Sequence, residues 1–286
     1  MCPLTKDIFY QRALKILGSL VILTVFAIFA FLFKESIYAL KTHGTVFFTS
    51  ATWHPTENKF FILPIVLGSF FIAFGALLLS LPLSLFAALF TCFFCPKKIK
   101  WWAQRIIELY AGIPSVIFGF WGLMKLVPWL YEFSAPGQSL LAGILILCLM
   151  IFPILTLSLM ASFEMSSREV YLCAESLGLS KSTYIWKILI PSVKKQSLAA
   201  ILLALGRALG ETMAVLMVCG NIPSIPKSIF APVRTLTSNI ALEMSYAMDS
   251  HRSALFLSGF ILLLTVSFIF LASKQSSIIL RKKGAL

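Results

Sequence analysis

Residues 60–96 form a run of thirty-seven positions without one charged side chain. No water-facing surface can be built from such a run, and a helix needs only about 20 apolar residues to cross a bilayer core of about 30 Å. Pro64 and Pro82 punctuate the run, and two crossings would leave too little chain for a turn. It therefore reads as one span at 67–88 whose ends continue as kinked or interfacial helix. Mostly apolar stretches at 16–33, 106–127, 140–162, 198–220 and 253–273 bring the expected number of transmembrane helices to six. Composition agrees, because 12% of the 286 residues are charged against about 25% in a soluble domain. The expected fold is all-α: one polytopic membrane domain over 1–286, with no repeats, no separate soluble domain and a long loop at 164–196. An intrinsically disordered chain is excluded by 59% hydrophobic residues. A disulfide scaffold is excluded by having six cysteines in so long a chain.

A net charge of +13 raises the question of nucleic acid, which would require a basic patch on a soluble face. The basic residues sort by membrane side instead. With the N-terminus inside, sixteen fall in inner segments, among them Lys97, Lys98, Lys100 and Arg105 and Lys181, Lys187, Lys194 and Lys195. Seven fall outside: Lys34, Lys41, Lys59, Lys125, Lys227, Arg234 and Arg252. The positive-inside rule then places both termini in the cytoplasm and leaves no need for nucleic acid. The first apolar stretch exceeds a secretory h-region, and Lys34-Glu35-Ser36 follows where a small-residue cleavage site would stand, so it reads as a retained anchor.

Chemistry by this chain alone is not expected. The sequence has no Gly-Lys dipeptide for a phosphate loop, no His-Glu-x-x-His and no Gly-x-Ser-x-Gly. Cys92 and Cys95 have the spacing of a metal or redox pair but lack a second pair or a nearby histidine, so they read as buried small hydrophobes. His43, His54 and His251 read as solvated loop residues. Neither a metal nor a cofactor is expected on the chain.

Two segments depart from the apolar background. Within 164–196, residues 168–177 and 181–190 alternate apolar and charged positions at helical spacing. Gly178 breaks them, Ser180 is the expected N-cap and Pro191 the expected stop. Such a segment either packs as an interfacial helix on its own bundle or offers a knob to a partner. The second segment is Gly206-Arg-Ala-Leu-Gly-Glu-Thr212 in the fifth span. Gly206 and Gly210 form a GxxxG face for close helix contact. Arg207 and Glu211 sit one turn apart near mid-membrane, where a single charge costs about 2.5–3.5 kcal/mol on the mildest scale. They form either a structural ion pair or part of a polar path.

The thirteen positions from Gly178 to Pro191, with Ile188-Leu-Ile-Pro191, resemble the inner loop of binding-protein-dependent ABC importer permeases. Glu108-Leu-Tyr-Ala-Gly-Ile-Pro-Ser-Val-Ile-Phe-Gly-Phe-Trp-Gly122 and Gly206-Arg-Ala-Leu-Gly-Glu-Thr-Met-Ala-Val215 are similar to the PstC-type phosphate permeases of that family. The likeness continues through Thr235-Leu-Thr-Ser-Asn-Ile-Ala-Leu-Glu-Met244. It implies a type I importer permease fold and a half-channel for inorganic phosphate in the bacterial cytoplasmic membrane. It also implies a PstA-like second permease, a PstB-like ATPase dimer that uses the ATP, and a PstS-like phosphate-binding protein outside. Arg207, Glu211, Thr212 and Ser115 would line the substrate path, with Gly206 and Gly210 at a helix contact. Glu169, Leu172, Ala174, Glu175, Gly178 and Pro191 would form the ATPase-coupling loop. The family's leading Glu is Leu172 here, and Glu169 or Glu175, three residues to either side, would replace it. A permease for another oxyanion such as sulfate or molybdate would keep the loop without the Arg-Ala-Leu-Gly-Glu motif. An ATPase-independent channel or carrier would leave the loop unexplained.

Overall fold

The structure is a computed structural model that describes residues 3–44, 47, 52–57, 59–165 and 168–283. Helix α1 (Pro3–His43) leads to a small hairpin, β1 (Trp53–His54) with β2 (Lys59–Phe60), in which Trp53 faces Phe60 and His54 faces Lys59. Then follow α2 (Leu63–Leu89), α3 (Lys97–Ala111), α4 (Ser115–Trp121), α5 (Val127–Tyr131) and α6 (Leu140–Glu164). The 164–196 segment holds α7 (Arg168–Ser176), α8 (Lys181–Tyr184) and α9 (Ile190–Ser192). The chain ends with α10 (Lys194–Gly210), α11 (Met213–Val218), α12 (Leu236–Glu243) and α13 (Asp249–Lys283). The hairpin is a small addition to an otherwise helical chain.

Helix α6 is the central element, with most of its apolar length buried against α2, α10 and α3. By contrast, α1 leaves the apolar part of its length exposed and packs on the bundle through α13. Four helices, within α1, α2, α6 and α13, are long and apolar enough to cross a membrane, and two bent pairs bring the number to as many as six. The expected stretches 16–33, 67–88 and 140–162 lie inside α1, α2 and α6, and 253–273 lies inside α13.

The other two expected spans are not continuous helices. At 106–127 the chain bends by 85° between α3 and α4. Gly112 closes α3, and Pro114, extended at φ −60° and ψ 140°, has no N–H to continue the ladder and biases Ile113 away from helix. Residues 97–105, which precede the expected span, belong to the amphipathic α3, which exposes Trp101, Trp102, Ile106 and Leu109. At 198–220 the helix stops at Gly210, and α11 begins after a two-residue break. Pro191 does not end its helix either. A π-turn at Ile185–Leu189 precedes it and the helix runs on to Ser192, with a 70° bend at Val193 before α10. A similar π-turn stands ahead of Pro128. The wider i to i−5 register removes the carbonyl that a proline ring would otherwise strike.

Candidate functional site

Helix α10 sorts its residues sharply. Ala200, Ala204, Leu205, Gly206, Ala208 and Leu209 are buried, whereas Ala199, Leu203, Arg207 and Gly210 are exposed. The exposed positions recur at spacings of 4, 4 and 3, which makes one stripe along the helix. Arg207 lies on that stripe, in the last turn of the helix. Among the described residues no carboxylate stands within ion-pair distance of it.

The expected i,i+4 pairing of Arg207 with Glu211 is therefore not formed. The helix ends at Gly210, and Glu211 turns to extended backbone at φ −70° and ψ 132°, which takes its side chain off the helical face. One carboxylate oxygen instead accepts the backbone N–H of Ala214 at 3.3 Å, capping the start of α11. The Glu211 carbonyl accepts from Thr237 Oγ1 at 2.7 Å, tying the break to α12. Thr212, half-buried, donates to the carbonyl of Gly210 at 3.4 Å. The GxxxG pair also divides. A Cβ on Gly206 would lie 3.3 Å from the ring of Phe270 on α13, whereas one on Gly210 would meet nothing within 4 Å. Only Gly206 serves a close helix contact inside this chain.

Helix α4 lies along α11. A Cβ on Gly119 would fall 2.8 Å from Cα of Ala214, and one on Gly122 would fall 2.9 Å from Val218, so the two helices approach in parallel. One turn back from Gly119, this register carries the half-buried Ser115 toward the Gly210–Thr212 break. Ser115 thus begins one of two helices that pack in parallel, and Glu211 and Thr212 precede the start of the other, directly after the helix that bears Arg207.

At the opposite end of α10, α7 docks on its own bundle through Ala174, which is buried, and through Tyr171, edge-on to Tyr184 at 5.2 Å. It leaves Leu172 and Glu175 exposed, and Leu177, directly after it, is 77% exposed. Glu169 lies outside the residues whose side chains are described. Gly178 takes φ +71° after α7, and the Ser180 side chain accepts the N–H of Thr183, capping α8 as its position suggests. Pro191 is exposed within the continuing helix.

Sequence reasoning missed one buried polar cluster at the hairpin end. Glu243, 4% exposed, accepts from Arg234 on one oxygen, and on the other from Trp53 Nε1 at 2.9 Å and His251 Nε2 at 2.8 Å. Arg234 also donates to the Asn221 carbonyl at 2.7 Å and to Asn239 Oδ1 at 3.0 Å. His251 is not a solvated loop residue. It opens a turn of α13, is 9% exposed and stacks on Phe60 at 5.3 Å. The cluster joins the hairpin, the 221–234 loop, α12 and α13, and its Trp53–Glu243 hydrogen bond spans 190 residues. Local signals could show only a Glu at the end of a capped helix: the Thr235–Ser238 capping box is legible, but its distant partners are not.

Comparison with known proteins fits this geometry. Residues 80–276 match the family model described as binding-protein-dependent transport system inner membrane component. A phosphate transport system permease protein PstC from Xylella fastidiosa is 32% identical over 86% of this chain and 83% of its own length. A probable ABC transporter permease protein, YqgH, from Bacillus subtilis is 36% identical over 86% and 82%. Among solved structures, an inward-facing MetNI methionine ABC transporter aligns with a TM-score of 0.63 at 13% identity, over 80% of this chain and 99% of that one. The fold is that of the type I ABC importer permeases. The chain belongs to the family of inner membrane components of binding-protein-dependent transport systems.

Proposed function

We propose that this chain forms half of the path by which an ATP-driven importer carries inorganic phosphate across the cytoplasmic membrane. The observation that carries the reading is Arg207, an exposed guanidinium without an ion-pair partner among the described residues, on a helix otherwise apolar along its exposed stripe. Lipid is a costly neighbour for that charge, so the stripe faces a polar space shared with a second permease. Phosphate carries roughly one to two negative charges, and the guanidinium fork matches its oxygens. Arg207 gives the anion one favourable stop, and Ser115, Thr212 and Glu211, at the starts of α4 and α11, complete the path. Glu211, held by the N-terminus of α11, keeps a negative charge beside the stop so that the anion is not trapped, the general condition for conduction. Relatives named as phosphate transport permeases support the choice of anion.

ATP hydrolysis belongs to a partner: the chain binds no cofactor of its own, and a PstB-like ATPase dimer uses the ATP. The exposed Leu172 and Glu175 of α7, with Leu177 directly after it, form the surface on which it docks, with Glu175 or Glu169 replacing the family's leading Glu. A PstA-like permease completes the path, and a PstS-like protein delivers phosphate from outside. Co-reconstituted with these three in liposomes, the chain is expected to support ATP-dependent uptake of labelled phosphate, undiminished by a hundredfold excess of sulfate. Competition by sulfate or molybdate would transfer the reading to another oxyanion.

Both termini face the cytoplasm in this reading. Single cysteines at Lys41 and Ser228, in an otherwise cysteine-free chain, should react with an impermeant thiol reagent added to intact cells, and one at Ser182 should not. Labelling at Ser182 would contradict the orientation. Gly178→Trp should cost about 1–2 kcal/mol by placing a side chain in left-handed backbone, while the open space around it avoids any clash. Normal membrane abundance with loss of ATP-driven uptake is therefore expected, and full uptake would separate the loop from coupling.

A further inference from the structure

A cavity of about 790 Å³ opens between α1 and the start of α13, lined by Lys34, Glu35, Tyr38, Asp249, Arg252 and Ser253. We propose that it holds the headgroup of a zwitterionic phospholipid with a primary amine, phosphatidylethanolamine. Its position comes first. Helix α1 is exposed along its apolar length, including Phe26, Phe31 and Phe33, and the charges begin directly after it at Lys34. The cavity therefore sits where a bilayer gives way to water. It is an open pocket, wide enough to admit a headgroup from the side.

The charges identify the occupant. Two cations and two carboxylates surround the space, yet among the described residues none of the four is joined to another by an ion pair. Opposite charges held apart around one cavity suit a ligand that carries both signs. Lys34 and Arg252 offer donors to a phosphodiester, and Glu35 and Asp249 accept from an ammonium. A choline headgroup lacks those N–H donors, and an anionic glycerol headgroup would face two unmatched carboxylates. The scaffold is fixed. Ser253 donates to the Glu35 carbonyl at 2.6 Å and accepts the N–H of Ala39 at 3.0 Å, locking α1 to α13 beside the cavity. The Arg252 guanidinium lies 5.6 Å over the Phe256 ring, which in turn meets Phe31 edge-on at 5.5 Å. An acyl chain leaving the headgroup finds this aromatic strip beside it.

The test uses the full chain, purified with its transporter partners in detergent and offered equal amounts of dioleoyl phosphatidylethanolamine, phosphatidylglycerol and phosphatidylcholine. Native mass spectrometry counts the lipid retained. Phosphatidylethanolamine is expected to exceed each of the others by about five-fold or more. Lys34→Gln/Arg252→Gln should lose phosphatidylethanolamine and phosphatidylglycerol alike, whereas Glu35→Gln/Asp249→Gln should shift retention toward phosphatidylglycerol. The four side chains are at the surface of the cavity, so the variants are expected to fold. Equal retention of the three lipids by the unmodified chain, or unchanged retention in both double variants, would overturn the proposal. So would efficient cross-linking of Tyr38→Cys to the extracytoplasmic binding protein while the unmodified chain retains no lipid, which would make that protein the occupant.

Discussion

Glu243→Gln is expected to destabilise the protein by about 3–5 kcal/mol, the cost of removing one partner from a buried ion pair. The carboxylate is 4% exposed and accepts from three side chains on three different segments: Arg234, His251 and Trp53. An amide can satisfy at most part of that set, because its nitrogen would point a donor at a donor. The Arg234 guanidinium would then remain partly buried beside a neutral group. Membrane abundance and the thermal midpoint in detergent should both fall, and phosphate uptake should fall only in proportion to abundance. Arg234→Gln/Glu243→Gln should recover part of the lost stability, since it removes both charges together. Normal abundance and an unchanged midpoint in Glu243→Gln would show that the cluster does not hold the hairpin, α12 and α13 together.

That cluster marks the boundary of what the sequence discloses. Uncharged runs locate the long helices, because hydrocarbon excludes charge over a fixed length, and α1, α2, α6 and α13 follow from that rule alone. The breaks are less visible. Pro114 announces its bend by the missing N–H, whereas Pro191 is absorbed by a π-turn that no local pattern signals. Arg207 and Glu211, four apart, look like one helical face as long as the helix is assumed to continue. It stops at Gly210, where Glu211 turns to extended backbone and its carbonyl is held by Thr237, twenty-six residues further on. His251 has the same difficulty in reverse: beside an apparent loop it looks solvated, yet Phe60 and Glu243 bury it. Features set by one segment were legible, and those set by the meeting of distant segments were not.

Arg207→Gln should behave in the opposite way to Glu243→Gln. With no ion pair to Glu211, exposed position 207 carries no structural debt, so insertion, abundance and assembly should match the unmodified chain. Uptake should drop by about 10- to 150-fold, which corresponds to losing one charge-assisted contact of about 1.5–3 kcal/mol. Arg207→Lys should keep the charge and restore part of the rate, because an ammonium lacks the planar fork. The most direct measurement is labelled phosphate uptake beside membrane abundance in Arg207→Gln and in Arg207→Gln/Glu211→Gln. The account predicts normal abundance in both and uptake lost in both. Uptake that persists in Arg207→Gln, or that returns in the double variant, would contradict the assignment of Arg207 to the path of the anion.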